Sequence, residues 1–151
     1  MQLTLPKHDI VLLGVGYTNA HVLHMWKMKP IPDARLTCVS NYSVATYSGM
    51  LPGVLAGQYP TSRVQIDLVR LCASAHAHLI VDQVIGLDTA ERRLLFESRP
   101  PLPFDLLSVG IGSVPTREGV ESLDDTILAM KPPSQDHDPA TQMRCARGSN
   151  Q

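Results

Sequence analysis

Apolar residues fall in short blocks along this chain, and the spacing inside the blocks changes. Ile10-Val-Leu-Leu13 is a run of four that stops at Gly14-Val15-Gly16. A short apolar run closed by glycine predicts a buried strand. The period then lengthens: Asn19, Val22, Leu23 and Trp26 recur at i, i+3, i+4 and i+7. That is the core-facing stripe of a helix over about 18–28, ended by Pro30 and Pro32. Residues 35–40, Arg-Leu-Thr-Cys-Val-Ser, predict a second strand. Strand, helix and strand within about thirty residues make a parallel βαβ crossover, nearly always right-handed.

Further along, 47–53 (Tyr-Ser-Gly-Met-Leu-Pro-Gly) is punctuated by glycine and proline, yet is more apolar than most surface loops. Thr61 or Ser62 is placed to cap a short helix through 66–72. Residues 78–81 predict a third strand, and 84–88 with 93–96 a hairpin around 89–92. Arg99-Pro-Pro-Leu-Pro103 leads into Phe104-Asp-Leu-Leu-Ser-Val-Gly-Ile-Gly-Ser-Val-Pro115, a buried strand running into a second glycine turn. From Pro132 to Gln151 the chain is polar and without apolar period, so burial there does not offset chain entropy. A disordered tail, foreign to the fold before it, is expected over 132–151. There are no internal repeats.

Composition narrows the classes. The 151 residues can bury a respectable core but are few for a two-domain enzyme. With 13 basic against 14 acidic residues, no basic footprint for nucleic acid stands out. No apolar run reaches the roughly 20 residues of a membrane helix. Residues 1–9 lack the pattern of a signal peptide, so a cytoplasmic protein is expected. Cys38, Cys72 and Cys145 form no Cys-x-x-Cys, which supports neither zinc nor a redox dithiol. Cys38 and Cys72 are read as small core residues.

The first glycine turn carries the chemistry. Strand, glycine turn and helix in that order present backbone N–H groups and a helix N-terminus to a pyrophosphate. Gly14 permits the tight turn, Gly16 lets phosphates come close, and Asn19 stands where the pattern has a third glycine. Other candidates read as structure. His76 and His78 diverge on a helix and suit a helix-end surface better than a metal. His21 and His24 lie near the turn and are read as solvent-exposed, and Met25, Trp26 and Met28 as helix packing. Asp67 and Asp105 have no carboxylate partner at visible spacing, so no general acid or base and no metal ligand is nominated. No Gly-x-Ser-x-Gly element or phosphate-loop lysine occurs. Two glycine turns with a hairpin between them are far more specific than either alone.

With both turns in hand, the chain resembles the FAD-containing half of the pyridine nucleotide-disulfide oxidoreductase superfamily. It is most similar to the NADH dehydrogenase FAD-containing subunit type, some of which are fused to selenide, water dikinase. Residues 47–53, Gln65-Ile-Asp-Leu68 and 100–115 carry the likeness, over about 8–131. The resemblance implies an α/β three-layer FAD/NAD(P)-binding Rossmann-like domain, with a parallel sheet and a β-meander crossover, incomplete. It implies hydride transfer from NAD(P)H to FAD and on to an acceptor, by a flavin that the protein positions and tunes.

By the same resemblance the pyrophosphate falls on Gly14, Gly16, Tyr17, Thr18 and Asn19. The adenosine ribose meets Ser40 and Asn41, where relatives place an acid that binds more strongly. Met50 and Leu51 are apolar contacts of the flavin, and the Val84 backbone meets adenine. The second turn, commonly Ala-Thr-Gly, is here Gly110-Ile111-Gly112. The missing cysteine pair implies the dehydrogenase branch. The pattern is lost around Lys131, near the expected NAD(P)H domain, which predicts a fragment produced by truncation, frameshift or gene-model artefact. Two alternatives stand beside this: an NAD(P)-binding Rossmann domain of a dehydrogenase, and a degenerate non-catalytic fragment.

Overall fold

A computed structural model describes residues 6–112. In chain order its elements are β1 (His8–Leu13), α1 (Tyr17–Met28), β2 (Ala34–Ser40), β3 (Val44–Thr46), α2 (Leu51–Leu55), β4 (Gln65–Asp67) and α3 (Leu68–Ser74). There follow β5 (His78–Val81), β6 (Val84–Asp88), β7 (Arg93–Phe96), β8 (Leu102–Pro103) and β9 (Leu106–Val109). The described residues divide into two compact units, 6–46 with 66–112, and 47–65. Residues 113–131, which include the end of the second glycine motif, the expected tail 132–151 and Cys145 lie outside the described residues.

The larger unit is built on an all-parallel sheet of order β5-β2-β1-β9. Along β1, His8 pairs with Ala34 and Leu13 with Val39 on one side; Ile10 pairs with Leu106 and Leu13 with Val109 on the other. Successive strand residues face opposite ways, and the apolar runs therefore feed two cores. Leu12, Leu36 and Cys38 pack with Leu23 and Trp26 of α1 and Leu68 and Cys72 of α3. Val11 and Val39 pack with Leu94 and Phe96 of β7, joined by Val84, Leu102 and Leu107. The antiparallel meander β6-β7-β8 thus covers the face opposite the helices. Three layers result, as the sequence predicted, and each fully buried Leu or Val stabilises them by about 1.5–3 kcal/mol.

Four local expectations change. The helix after residue 60 begins at Leu68, capped by Asp67, whose carboxylate accepts the Arg70 N–H at 2.9 Å. Thr61–Arg63 forms a separate 3-10 turn instead, because Asp67 offers the stronger cap next to the apolar run. Val22 is exposed, and so are Met25 and Met28, which were expected to pack, so the α1 stripe narrows to Asn19, Leu23 and Trp26. The hairpin gains a third strand, Leu102 pairing with Leu94 and Pro103 with Arg93. Finally, β9 is half-exposed rather than buried, being the outermost of the four described strands on its side.

Cys38 and Cys72 are both buried in the helix-side core. The hydrogen bond with Cys72, then burial, push the Cys38 thiol far above the ordinary range. His76 and His78 are exposed, at the end of α3 and the start of β5. His21 and His24 are exposed on α1.

The smaller unit opens with a 3-10 turn, Ser48–Met50, that runs into α2 with Pro52 in its first turn. Its ends are joined by the Tyr47 N–H donating to the Val64 carbonyl at 2.8 Å. Gly53 leaves room for the Tyr59 ring, which a Cβ there would strike.

Candidate functional site

The chain builds β1, β2 and β5 in one direction across the sheet, then places β9 on the other side of β1. The order therefore reverses between β1 and β9. In open α/β sheets a ligand crevice lies at that reversal, outside the carboxyl ends of the strands.

Both glycine turns lie there. The Gly14 N–H donates to the Val39 carbonyl at 2.8 Å, and the Gly110 N–H donates to the Leu13 carbonyl at 2.7 Å. Gly14 has φ +75°, and a Cβ on it would sit 2.7 Å from the Gly110 carbonyl oxygen. Glycine is thus required at 14 both for the backbone angle and for space. A Cβ on Gly16 would lie 3.3 Å from the same oxygen. Between them Val15 is buried and anchors the turn in the helix-side core.

Gly16 is the N-cap of α1; no side chain caps that end and no acidic residue lies in the first turn. Gly16, Tyr17 and Thr18 are exposed. The positive end of a 12-residue helix is therefore presented beside the glycine turn, with no carboxylate of its own first turn to offset it. Such an end attracts a phosphate.

Asn19 is different in kind, only 1% exposed. Its Nδ2 donates to the Gly14 carbonyl at 2.6 Å and to the Leu13 carbonyl at 3.5 Å. Its Oδ1 accepts from the Ser108 hydroxyl at 2.8 Å. Ser108 was missed in the sequence, where one serine inside an apolar strand has no visible partner.

No family model matches the chain. Among solved structures it is similar to the sulfide:quinone oxidoreductase of the hyperthermophilic bacterium Aquifex aeolicus, with TM-score 0.58 and 15% identity over 68% of this chain and 24% of that one. NDH2 from Plasmodium falciparum in complex with NADH gives TM-score 0.55 and 14% identity over 73% and 23%. The water-forming NADH oxidase of Lactobacillus brevis bound to NADH gives 0.55 and 14% over 76% and 28%. The chain has their Rossmann-like α/β fold. It spans about a quarter of the length of each.

Within this fold Gly14, Gly16, Asn19 and Gly110 converge, and Tyr17 and Thr18 continue from them into α1. Ile111 is 69% exposed just beyond, followed by exposed Gly112 at φ +75°. Ser40 closes β2, one strand away; its Oγ accepts the Tyr42 N–H at 3.2 Å. Asn41 is exposed next to it. Asp82, also missed in the sequence, gives its N–H to the Ser40 carbonyl at 3.0 Å. Its carboxylate accepts from Gln83 N–H and the Ser98 hydroxyl, so it organises the turn into the meander. Val84 begins β6 with its side chain against the meander core. Met50 and Leu51 belong to the smaller unit, half-buried and buried respectively.

Proposed function

We propose that residues 8–131 are the FAD-binding part of a flavin oxidoreductase of the NAD(P)H dehydrogenase type. The observation that carries the reading is the meeting of the Gly14 and Gly110 turns at the strand-order reversal, beside an exposed helix N-terminus without a side-chain cap. The turn at Gly14 and the amides of Val15 to Thr18 would hold the pyrophosphate, Ser40 and Asn41 the ribose, and the Val84 backbone the adenine. Gly110 to Gly112 would supply the second wall. A bound flavin supplies acceptance of hydride from NAD(P)H and passage of the electrons to an acceptor.

The 151 residues by themselves are expected to bind FAD weakly or not at all, with any Kd above about 1 μM. No reduction of an acceptor with NADH is expected from them. Fluorescence titration of FAD into the 151-residue chain, with ADP and NADH as competitors, tests this. Competition by ADP and weak competition by NADH support the FAD reading. Tighter binding of NADH than of FAD selects the nicotinamide Rossmann domain instead. No binding of either, with no rise in Tm on adding FAD, leaves a degenerate fragment.

A further inference from the structure

We propose that Asn19 is the positioning residue of this dinucleotide site, a strut between the two glycine turns where the pattern has a third glycine; the inference rests on the FAD reading above.

The third glycine of the pattern serves close packing of helix against strand. An asparagine there must find space, and Gly110 provides it. A Cβ on Gly110 would sit 2.7 Å from Asn19 Nδ2 and 3.2 Å from its Cγ, whereas its next neighbour, the Gly14 carbonyl oxygen, is at 3.4 Å. Asn19 therefore fills the volume that a side chain at 110 would take. Two departures from the pattern, asparagine at 19 and glycine at 110, are one steric exchange across the gap between α1 and β9.

The exchange adds something a glycine cannot. The Asn19 amide is held on both sides, by the Leu13 and Gly14 carbonyls and by the Ser108 hydroxyl. Among the described residues no buried side-chain nitrogen or oxygen lacks a partner. Holding the Gly14 carbonyl toward Asn19 also orients the following amide. In a planar trans peptide the N–H points opposite to the C=O. The Val15 N–H is thereby turned away from Asn19, and on this proposal the pyrophosphate would lie on that side. Asn19 touches no ligand on this account; it aims an amide that does.

A double-mutant cycle on the 151-residue chain, read in two ways, tests the strut. Without ligand, Gly110→Ala lowers Tm, and Asn19→Gly/Gly110→Ala is more stable than Gly110→Ala alone. Additive losses would overturn the steric exchange. With FAD, Kd rises about tenfold in Asn19→Gly and stays raised in the double variant, because space is restored but the hydrogen bonds are not. Recovery of Kd together with Tm would show that Asn19 only fills space and would overturn the positioning role. Ser108→Ala keeps the shape of Asn19 and guards against a variant that does not fold. It weakens FAD binding about three- to tenfold, and an unchanged Kd counts against the proposal. Failure of the wild-type chain to bind FAD defeats the FAD reading and the positioning role with it, while the Tm cycle still decides the steric exchange.

Discussion

The carbonyl oxygen of Gly110 lies 2.7 Å from the position a Cβ on Gly14 would take, so the two turns touch backbone to backbone. Gly57 has almost the same backbone angle, φ +73°, but nothing within 4 Å of its would-be Cβ. The pair separates backbone strain from steric exclusion. Gly57→Ala is expected to cost about 1–2 kcal/mol, the left-handed penalty alone. Gly14→Ala adds overpacking against Gly110 and should cost about 3 kcal/mol or more. Chemical denaturation of both variants measures the difference; equal losses would mean that the turns are not in contact.

The Cys38–Cys72 pair should be silent toward thiol reagents in the native chain. In a Cys145→Ser background, modification should proceed only as fast as unfolding, because both sulfurs are buried and a reagent must reach them. Rapid labelling in native buffer would contradict the burial.

Asp67 is the side chain that starts α3. Replacing it by Ala should cost about 0.5–2 kcal/mol, while Asp67→Asn, which keeps an oxygen for the Arg70 N–H, should stay near wild type. If Thr61 or Ser62 were the cap, Asp67→Ala would be neutral and those residues would carry the loss. Thermal unfolding of the three alanine variants distinguishes the two arrangements.

Asp88 closes the β6–β7 turn. The Glu91 N–H donates to it at 3.0 Å, and the Arg93 guanidinium lies 3.0 Å away; together they hold its carboxyl below the usual range. A depressed carboxyl stabilises above its unfolded pKa and loses that contribution as pH falls through the folded one. The stability gap between wild type and Asp88→Asn should therefore be constant near neutrality and close under acid. A gap that persists at the lowest pH would assign the effect to shape rather than charge.

Much of the frame was readable because burial leaves a local trace. Ile10 to Leu13 and residues 35–40 are apolar on both faces, as a strand covered on both sides must be. Gly14 marks the turn because no other residue tolerates both its backbone angle and the close approach of Gly110, while Gly16 has an ordinary angle and is tight only in space. Asn19 was placed on the core side of α1, but its partner Ser108 is 89 positions away and no period links them. Val22 and β9 misled for a related reason: an apolar side chain announces that it can be buried, not that something covers it. Leu102 and Pro103 were hidden by the prolines around them, since proline in a strand is tolerated at an edge but discouraged elsewhere. The Asp67 cap was passed over because a lone carboxylate was judged for acid–base chemistry before hydrogen bonding.

The position of β9 also bears on how the molecule comes into being. β1 is made first and lies inside the sheet, yet one of its two neighbours is made last among the described strands. Until residues 106–109 emerge, a growing chain carries β1 with one row of backbone groups open, the kind of edge that invites pairing with other chains. Closing that edge requires a contact of very long sequence separation, which is slow to form. The cradle at Gly14 has no second wall before then. A nascent chain should consequently acquire its helices and its β1–β2 pair early, and its capacity for dinucleotide only once β9 has paired with β1.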